Sequence, residues 1–267
     1  MSILTNLLDK ARKSLVNREN DLRVDNLIIG KTTYTIKDSE TVFTDMNFCL
    51  VLLEDAYGFS YFQDEIDYSL GNFVNKNALE VVGKKIPTYL RVAIMDALFC
   101  LINKEAFNDK LIFEGNLRQK AKDRARVLLA QVPDKAKVLL LGAATEIIEE
   151  AKYKNCDLKV LDLEKQKIGL RLHSTNIESG EKTDLEIEIK EADYIVATGM
   201  IFVSGTADRI FELSRKYHKH LILFMETGSN FGPQLLEYGA SIVLSEFFPY
   251  YDFYGETKYF VSQKESE

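Results

Sequence analysis

Glu226 is the residue of this chain best placed to exchange a proton. It follows the apolar run LILFM (221–225), and a carboxylate at the end of a buried strand loses hydration, which raises its pKa and suits acid–base chemistry or cation binding. Its other reading is a loop-ordering acceptor for the amides of Thr227 to Asn230. Thr227, Gly228, Ser229 and Asn230 form the turn after it, and a turn of similar chemistry, Thr198 and Gly199 with Ser204, Gly205 and Thr206 just beyond, follows the run ADYIVA. Small and hydroxylated residues at such places let amides and hydroxyls approach a polar or anionic ligand. They are also ordinary turn residues. A third candidate turn carries Gly142 after KVLLL, with Asp162 ending the next apolar run 20 positions later, near the spacing of a ribose-binding acid.

These residues need a sheet beneath them. From Lys137 onward strand and helix patterns alternate: KVLLLG, ATEIIEEAKY, LKVLDL, DYIVATG, TADRIFELSRKY, LILFM, PQLLEYG and SIVLS. That order predicts an α/β domain with a mainly parallel, Rossmann-like sheet. Ser204 or Thr206 is expected to cap the helix TADRIFELSRKY. Pro233 and Gly239 mark the start and stop of PQLLEYG. Residues 1 to about 110 instead give a helix, β-rich stretches at 27–36, 41–53 and 57–62, and a helix over 88–103, an α+β order. The helix LRQKAKDRARVLLAQVP joins the two parts, which sets expected domains at 1–115 and 116–267. Its Arg118, Lys120, Lys122, Arg124 and Arg126 read as a solvated linker. IGLRLHS and DLEIEIK alternate with period two and read as an antiparallel hairpin, with His173, Ser174 and Asn176 able to border a ligand.

Composition narrows the partners. The chain has 267 residues, 46% hydrophobic and 28% charged, with a formal charge of −7, which argues against nucleic acid as a partner. No run reaches transmembrane length, and the N-terminal stripe is amphipathic instead of a signal core. Cys49, Cys100 and Cys156 stand far apart, without disulfide or CxxC spacing. A cytoplasmic protein without a membrane partner is expected. GAATEI supplies only the first glycine of a dinucleotide turn, so NAD and FAD are disfavoured, whereas S-adenosylmethionine stays open through Asp162. Asp162 equally reads as a strand end that caps its own turn. His218 and His220 are the one histidine pair close enough in sequence to ligate a metal but sit where histidine commonly caps helix carbonyls. Glu54, Asp55, Asp64, Glu65 and Asp67 could take a hard divalent ion but read as solvated faces, so a metal-chelating small molecule as ligand fits better than direct chelation by side chains. The segment EFFPYYDFYGETKYF is too aromatic for a free tail; packing against the first domain or a second copy, a homodimer, is expected, with a wall for a flat heterocycle as the alternative.

The arrangement ADYIVATGMIFVSGTADRIFELSRK followed by LILFMETGSNFGPQLLEYGA resembles the C-terminal domain of the family named for a proposed role in heavy-metal chelation, domain-of-unknown-function family 364. PTYLRVAIMDALFCL is similar more loosely, with Asp96 where family members often carry Asn. The resemblance implies an enolase N-terminal-like domain, then a Rossmann-like domain, with a ligand cleft between them. It carries over to Thr198, Gly199, Ser204, Gly205, Thr206, Thr227, Gly228 and Ser229, while Glu226 and Asn230 depart from the pattern. The expected function is binding of a small polar or anionic metabolite in that cleft, as an enzyme of metal-chelator or cofactor metabolism. A methyltransferase-like protein and a metal or metallophore carrier are the alternatives.

Overall fold

A computed structural model describes residues 2–18, 21–37, 41–107, 110–248 and 255–263. The chain opens with α1 (Ile3–Ser14), in which Ile3, Leu7 and Ala11 form the buried stripe that the spacing requires. β1 (Asn26–Lys37), β2 (Thr41–Leu53) and β3 (Ala56–Phe62) then form an antiparallel sheet in the order β1-β2-β3. A short α2 (Ala78–Val82) leads to α3 (Thr88–Ile102), whose residues 92 to 99 are all buried. α3 lies against β3 with no side chain between them at Gly58, where a Cβ would meet Ala93 O at 2.0 Å and Ala97 N at 2.2 Å.

The rest of the chain builds a larger sheet. β4 (Lys110–Phe113) and α4 (Leu117–Leu128) precede β5 (Lys137–Leu141), α5 (Thr145–Tyr153) and β6 (Asp157–Asp162). β7 (Arg171–Leu172) and β8 (Thr175–Ser179) form a hairpin, followed by α6 (Leu185–Glu191), β9 (Tyr194–Thr198), α7 (Met200–Val203) and α8 (Ala207–Lys216). β10 (His220–Met225), α9 (Gly232–Glu237), β11 (Ile242–Glu246) and β12 (Thr257–Gln263) complete it. Among the described residues the order is β4-β12-β11-β10-β9-β5-β6-β8-β7. β8, β6, β5, β9, β10 and β11 run parallel, while at one edge β12 pairs antiparallel with β11 and β4 pairs antiparallel with β12. This is the doubly wound order of an α/β sheet, and its direction of winding reverses between β5 and β9. β4, which falls within residues 1–115, therefore hydrogen-bonds in the large sheet.

Strand alternation assigns the two faces. Leu139, Leu141, Ala197, Leu223 and Met225 join a core shared with α1, α3 and α8, whereas Val138, Leu140, Val196, Ile222 and Phe224 pack under α4 and α5. Both faces are covered, so the strands read as continuous apolar runs. α1 closes onto the second half of the chain through the Ile3 amide, which donates to Asp208 Oδ1 at 2.7 Å.

Two sequence expectations change here. DLEIEIK is not a hairpin strand but α6, because Asp184 caps it by accepting the Glu186 and Ile187 amides at 3.0 and 3.4 Å; the local cap outweighs the alternation. The hairpin closes earlier, at His173 and Ser174, whose φ values of 45° and 65° make a two-residue turn of the I′ kind. The connecting helix is not a solvated linker on all sides. Lys120 lies on the same face of α4 as Ala121, Ala125 and Leu128 and is 1% exposed, donating to Thr257 Oγ1 at 2.7 Å. Arg124, one turn further, is buried to 12% exposure of its side chain. Among the described residues no helix is long and apolar enough to cross a membrane.

Candidate functional site

The carboxyl ends of the parallel strands bring most of the expected residues to one edge. In spatial order they are Glu226 after β10, Thr198 at the end of β9, Gly142 after β5 and Asp162 at the end of β6, with Glu246, the last residue of the neighbouring β11, beside them. Gly142 and Thr198 meet at the reversal point. Gly142 has φ +99°, and a Cβ there would lie 2.9 Å from Thr198 Oγ1, so both backbone conformation and space call for glycine. Ala144 precedes α5 without a side-chain cap, which leaves first-turn amides of that helix without a side-chain acceptor beside the turn. Asp162 is turned to this turn: Oδ2 accepts the Ala143 amide at 2.8 Å and Oδ1 the Glu164 amide at 2.8 Å. Lys167 Nζ lies 3.6 Å from Asp162 and 2.8 Å from Glu164.

Glu226 belongs to a buried charged cluster under α4. Arg124 Nη1 stands 3.2 Å from Glu226 Oε1 and 2.6 Å from Glu246 Oε2. Its guanidinium lies over the Phe224 ring, 4.3 Å from the centroid, an arrangement in which cation–π attraction adds to the ion pairs. Tyr259 donates its hydroxyl hydrogen to Glu246 Oε1 at 2.5 Å. Burial works against the Arg124 charge, but Glu246 and then Glu226 outweigh it, and its pKa is raised. Burial pushes Glu226 up to about 8, with Arg124 opposing and the neighbouring Glu246 carboxylate adding to the rise. One cation thus serves two carboxyl groups. Glu246, 2% exposed in its side chain, accepts from both Arg124 and Tyr259; Glu226, 18% exposed, stands at the longer distance from Arg124, and its raised pKa favours the protonated form near neutrality. Burial and Glu246 also raise Tyr259, which stays a hydrogen-bond donor.

The turn after Glu226 is engaged with the small sheet. Thr227 Oγ1 accepts the Tyr61 amide at 3.0 Å, and the Gly228 amide donates to Phe59 O at 3.1 Å. Gly228 has φ +70°. Thr227, Ser229 and Asn230 are all at most 1% exposed. The Asn230 side chain donates to Tyr57 O at 3.3 Å, while Asn230 O accepts from Asn103 Nδ2 at 2.6 Å. Gly199 abuts this turn, where a Cβ would meet Thr227 O at 2.1 Å. Ser204, Gly205 and Thr206 lie one helical turn beyond, between α7 and α8. Neither hydroxyl caps α8; Ser204 Oγ and Thr206 Oγ1 bond to each other at 2.9 Å, because Thr206 takes a helical backbone with ψ −11° that turns its side chain away from the amides. Gly205 lines a small concavity with Ser2, Ile3, Leu4 and Phe202.

Aromatic residues roof the edge. Phe248 stacks on Phe59 with centroids 5.2 Å apart, and Phe247 meets Tyr57 edge-on at 6.4 Å. The segment after β11 therefore packs against β3, while Tyr250, Tyr251, Phe253 and Tyr254 lie outside the described residues. Among the described residues no three His, Cys, Asp or Glu side chains are grouped to hold a metal ion. His220 stacks on Tyr194 with centroids 4.9 Å apart, and Asp55 pairs with Lys104 at 2.6 Å.

Arg124, Glu246, Tyr259 and Asp96 were not singled out as site residues by sequence reasoning, although signals existed. SIVLSE repeats the strand-then-glutamate form of LILFME, and residues 120, 124 and 128 share one helical face with alanines.

Compared with family profiles and with curated proteins, the sequence finds no match. Solved structures do match. A protein of unknown function from the DUF364 family of Desulfitobacterium hafniense is 13% identical, with a TM-score of 0.61, covering 98% of this chain and 100% of that one. A DUF364-family protein of unknown function from Pyrococcus horikoshii is 15% identical, with a TM-score of 0.57 over 98% and 100% of the two chains. The chain has the fold of these DUF364 proteins, α/β with a large mixed sheet and a small antiparallel one.

Proposed function

We propose that this chain binds a small polar or anionic metabolite at the carboxyl edge of the large sheet, with Glu226 as the group that gives or takes a proton. The observation that carries this reading is the buried charged cluster: Arg124 lies closer to Glu246, which also accepts from Tyr259, than to Glu226, and burial raises the pKa of Glu226 to about 8 while its side chain keeps 18% exposure. An acid poised near the working pH is the form general acid–base catalysis favours. The reversal point beside it, with Gly142, Thr198 and the uncapped start of α5, is where a doubly wound sheet accepts ligands.

The adenosyl reading has less support, since both oxygens of Asp162 already accept amides of neighbouring turns. A carrier that ligates metal through side chains has less still, given the pairings of His220 and Asp55. Thermal unfolding of wild type, Glu226→Gln and Asp162→Asn against S-adenosylmethionine, S-adenosylhomocysteine, nucleotides, pterins, flavins, small carboxylates and divalent metals tests the three. A ligand at about 100 times its Kd adds about 2.7 kcal/mol. The expected result is a compound that stabilises wild type and Asp162→Asn but not Glu226→Gln. Loss in Asp162→Asn alone would transfer the site to the adenosyl reading, and stabilisation by a metal alone would favour the carrier. Silence across the panel would overturn the proposal for these ligand classes.

A further inference from the structure

The two sheets are joined through one fully buried carboxylate. Asp96 of α3 has 0% exposure, and its Oδ2 accepts the Phe59 amide of β3 at 2.8 Å while Oδ1 accepts the Asn230 amide at 2.7 Å. Three elements, α3, β3 and the turn after β10, therefore share one acidic group. The bonds from Gly228 to Phe59 O and from Tyr61 to Thr227 run beside it, so the turn and β3 form one hydrogen-bonded seam. Glu226 is the residue immediately before that turn.

A carboxylate accepts at both oxygens. A carboxylic acid turns one oxygen into a donor, which would face an N–H and lose that bond. Burial pushes Asp96 up to about 7, opposed by the Phe59 and Asn230 amides and by the Asn230 and Ser229 side chains. The titratable groups that face it are Tyr57 from β3 and Cys100 from its own helix, both raised chiefly by burial, so both stay neutral near pH 7. From the turn of the large sheet the facing groups are Ser229 and Asn230, which carry no charge.

We propose that Asp96 is a proton-operated latch between the small sheet and the turn that follows Glu226. Ionised, it holds the Phe59 and Asn230 amides together; protonated, it releases one of them and loosens the seat of Glu226 against Arg124. The second clause rests on the reading of Glu226 as the proton-exchanging group, whereas the first does not.

Amide hydrogen exchange of the whole chain, read by NMR between about pH 6 and about pH 8 alongside the Asp96 carboxyl carbon signal, tests it. Protection factors divide out the intrinsic pH dependence of exchange. The expected result is a drop of about tenfold in protection at Phe59 or Asn230 as Asp96 takes its proton, with β5 and β6 amides unchanged. Asp96→Asn, which keeps one acceptor and presents an NH2 to the other amide, should sit at the acidic level at every pH. Unchanged protection at both amides while Asp96 titrates would overturn the latch. So would an Asp96 carboxyl signal that does not move in this range, or an Asp96→Asn protein that keeps the wild-type pH response. No ligand enters this measurement. A positive exchange result with a silent ligand panel would keep the latch and remove only its consequence for Glu226.

Discussion

Replacing Glu226 by glutamine should make the protein more stable in alkali while leaving it nearly unchanged in acid. The folded-state pKa lies above the ordinary carboxyl value, so the stability associated with this group is fully present below about 4.5 and is lost as pH rises through about 8. At 1.36 kcal/mol per pH unit, carrying a carboxyl from 4.5 to about 8 corresponds to on the order of 5 kcal/mol. The 18% of the side chain that remains exposed and the sharing of charge with Glu246 reduce this to about 2–3 kcal/mol. Glutamine has the same shape and no proton to lose. Urea unfolding at about pH 5 and about pH 9, for wild type and Glu226→Gln, gives the two differences needed. Because Asp96 titrates in both proteins, its contribution cancels in the comparison. The variant is expected within about 1 kcal/mol of wild type at the lower pH and about 2–3 kcal/mol more stable at the higher one. An equal difference at both pH values would refute a proton held at Glu226.

Arg124→Met should cost about 3–5 kcal/mol at pH 8, because it leaves Glu246, 2% exposed in its side chain, and Glu226 without their shared cation. The loss should shrink at pH 5, where Glu226 is protonated and needs no cation, and urea unfolding at both pH values checks it. Gly58→Ala should lower Tm by several degrees, since its Cβ would meet the α3 backbone at 2.0 Å and neither element can yield cheaply. Gly71→Ala, with open space around the added carbon, is the control expected to leave Tm nearly unchanged in the same thermal scan.

Glu226 and Arg124 illustrate two degrees of legibility. Glu226 could be singled out because its neighbours in sequence, LILFM, create its environment: a buried strand ends and a carboxyl group is left at the rim. Arg124 could not be read in the same way. It lies in a run of five basic residues at spacing two, and its burial follows from how α4 packs over Phe224 and β11, which are separated from it by about a hundred positions. Asp96 is intermediate. A lone acid inside YLRVAIMDALFCLI must find donors once the helix is buried, but the sequence does not say that they come from Phe59 and Asn230.

The same division holds for the whole molecule. Local periodicity was enough to determine the change from α+β to α/β order, the parallel strand runs of the large sheet, the glycine turn at Gly142 and a helix start marked by Pro233 in the first turn of α9, since each rests on interactions within a few residues. Only the tertiary structure decided which polar turn residues stay near the sheet edge and which are consumed. Thr227 to Asn230 have the composition of a ligand loop, yet the Gly228 and Asn230 amides and the Thr227 and Asn230 side chains are taken up by β3 and Asp96. Hydrogen-bond capacity belongs to a residue, but its partner is chosen by the packing of distant segments, and a buried group must take whichever partner that packing supplies.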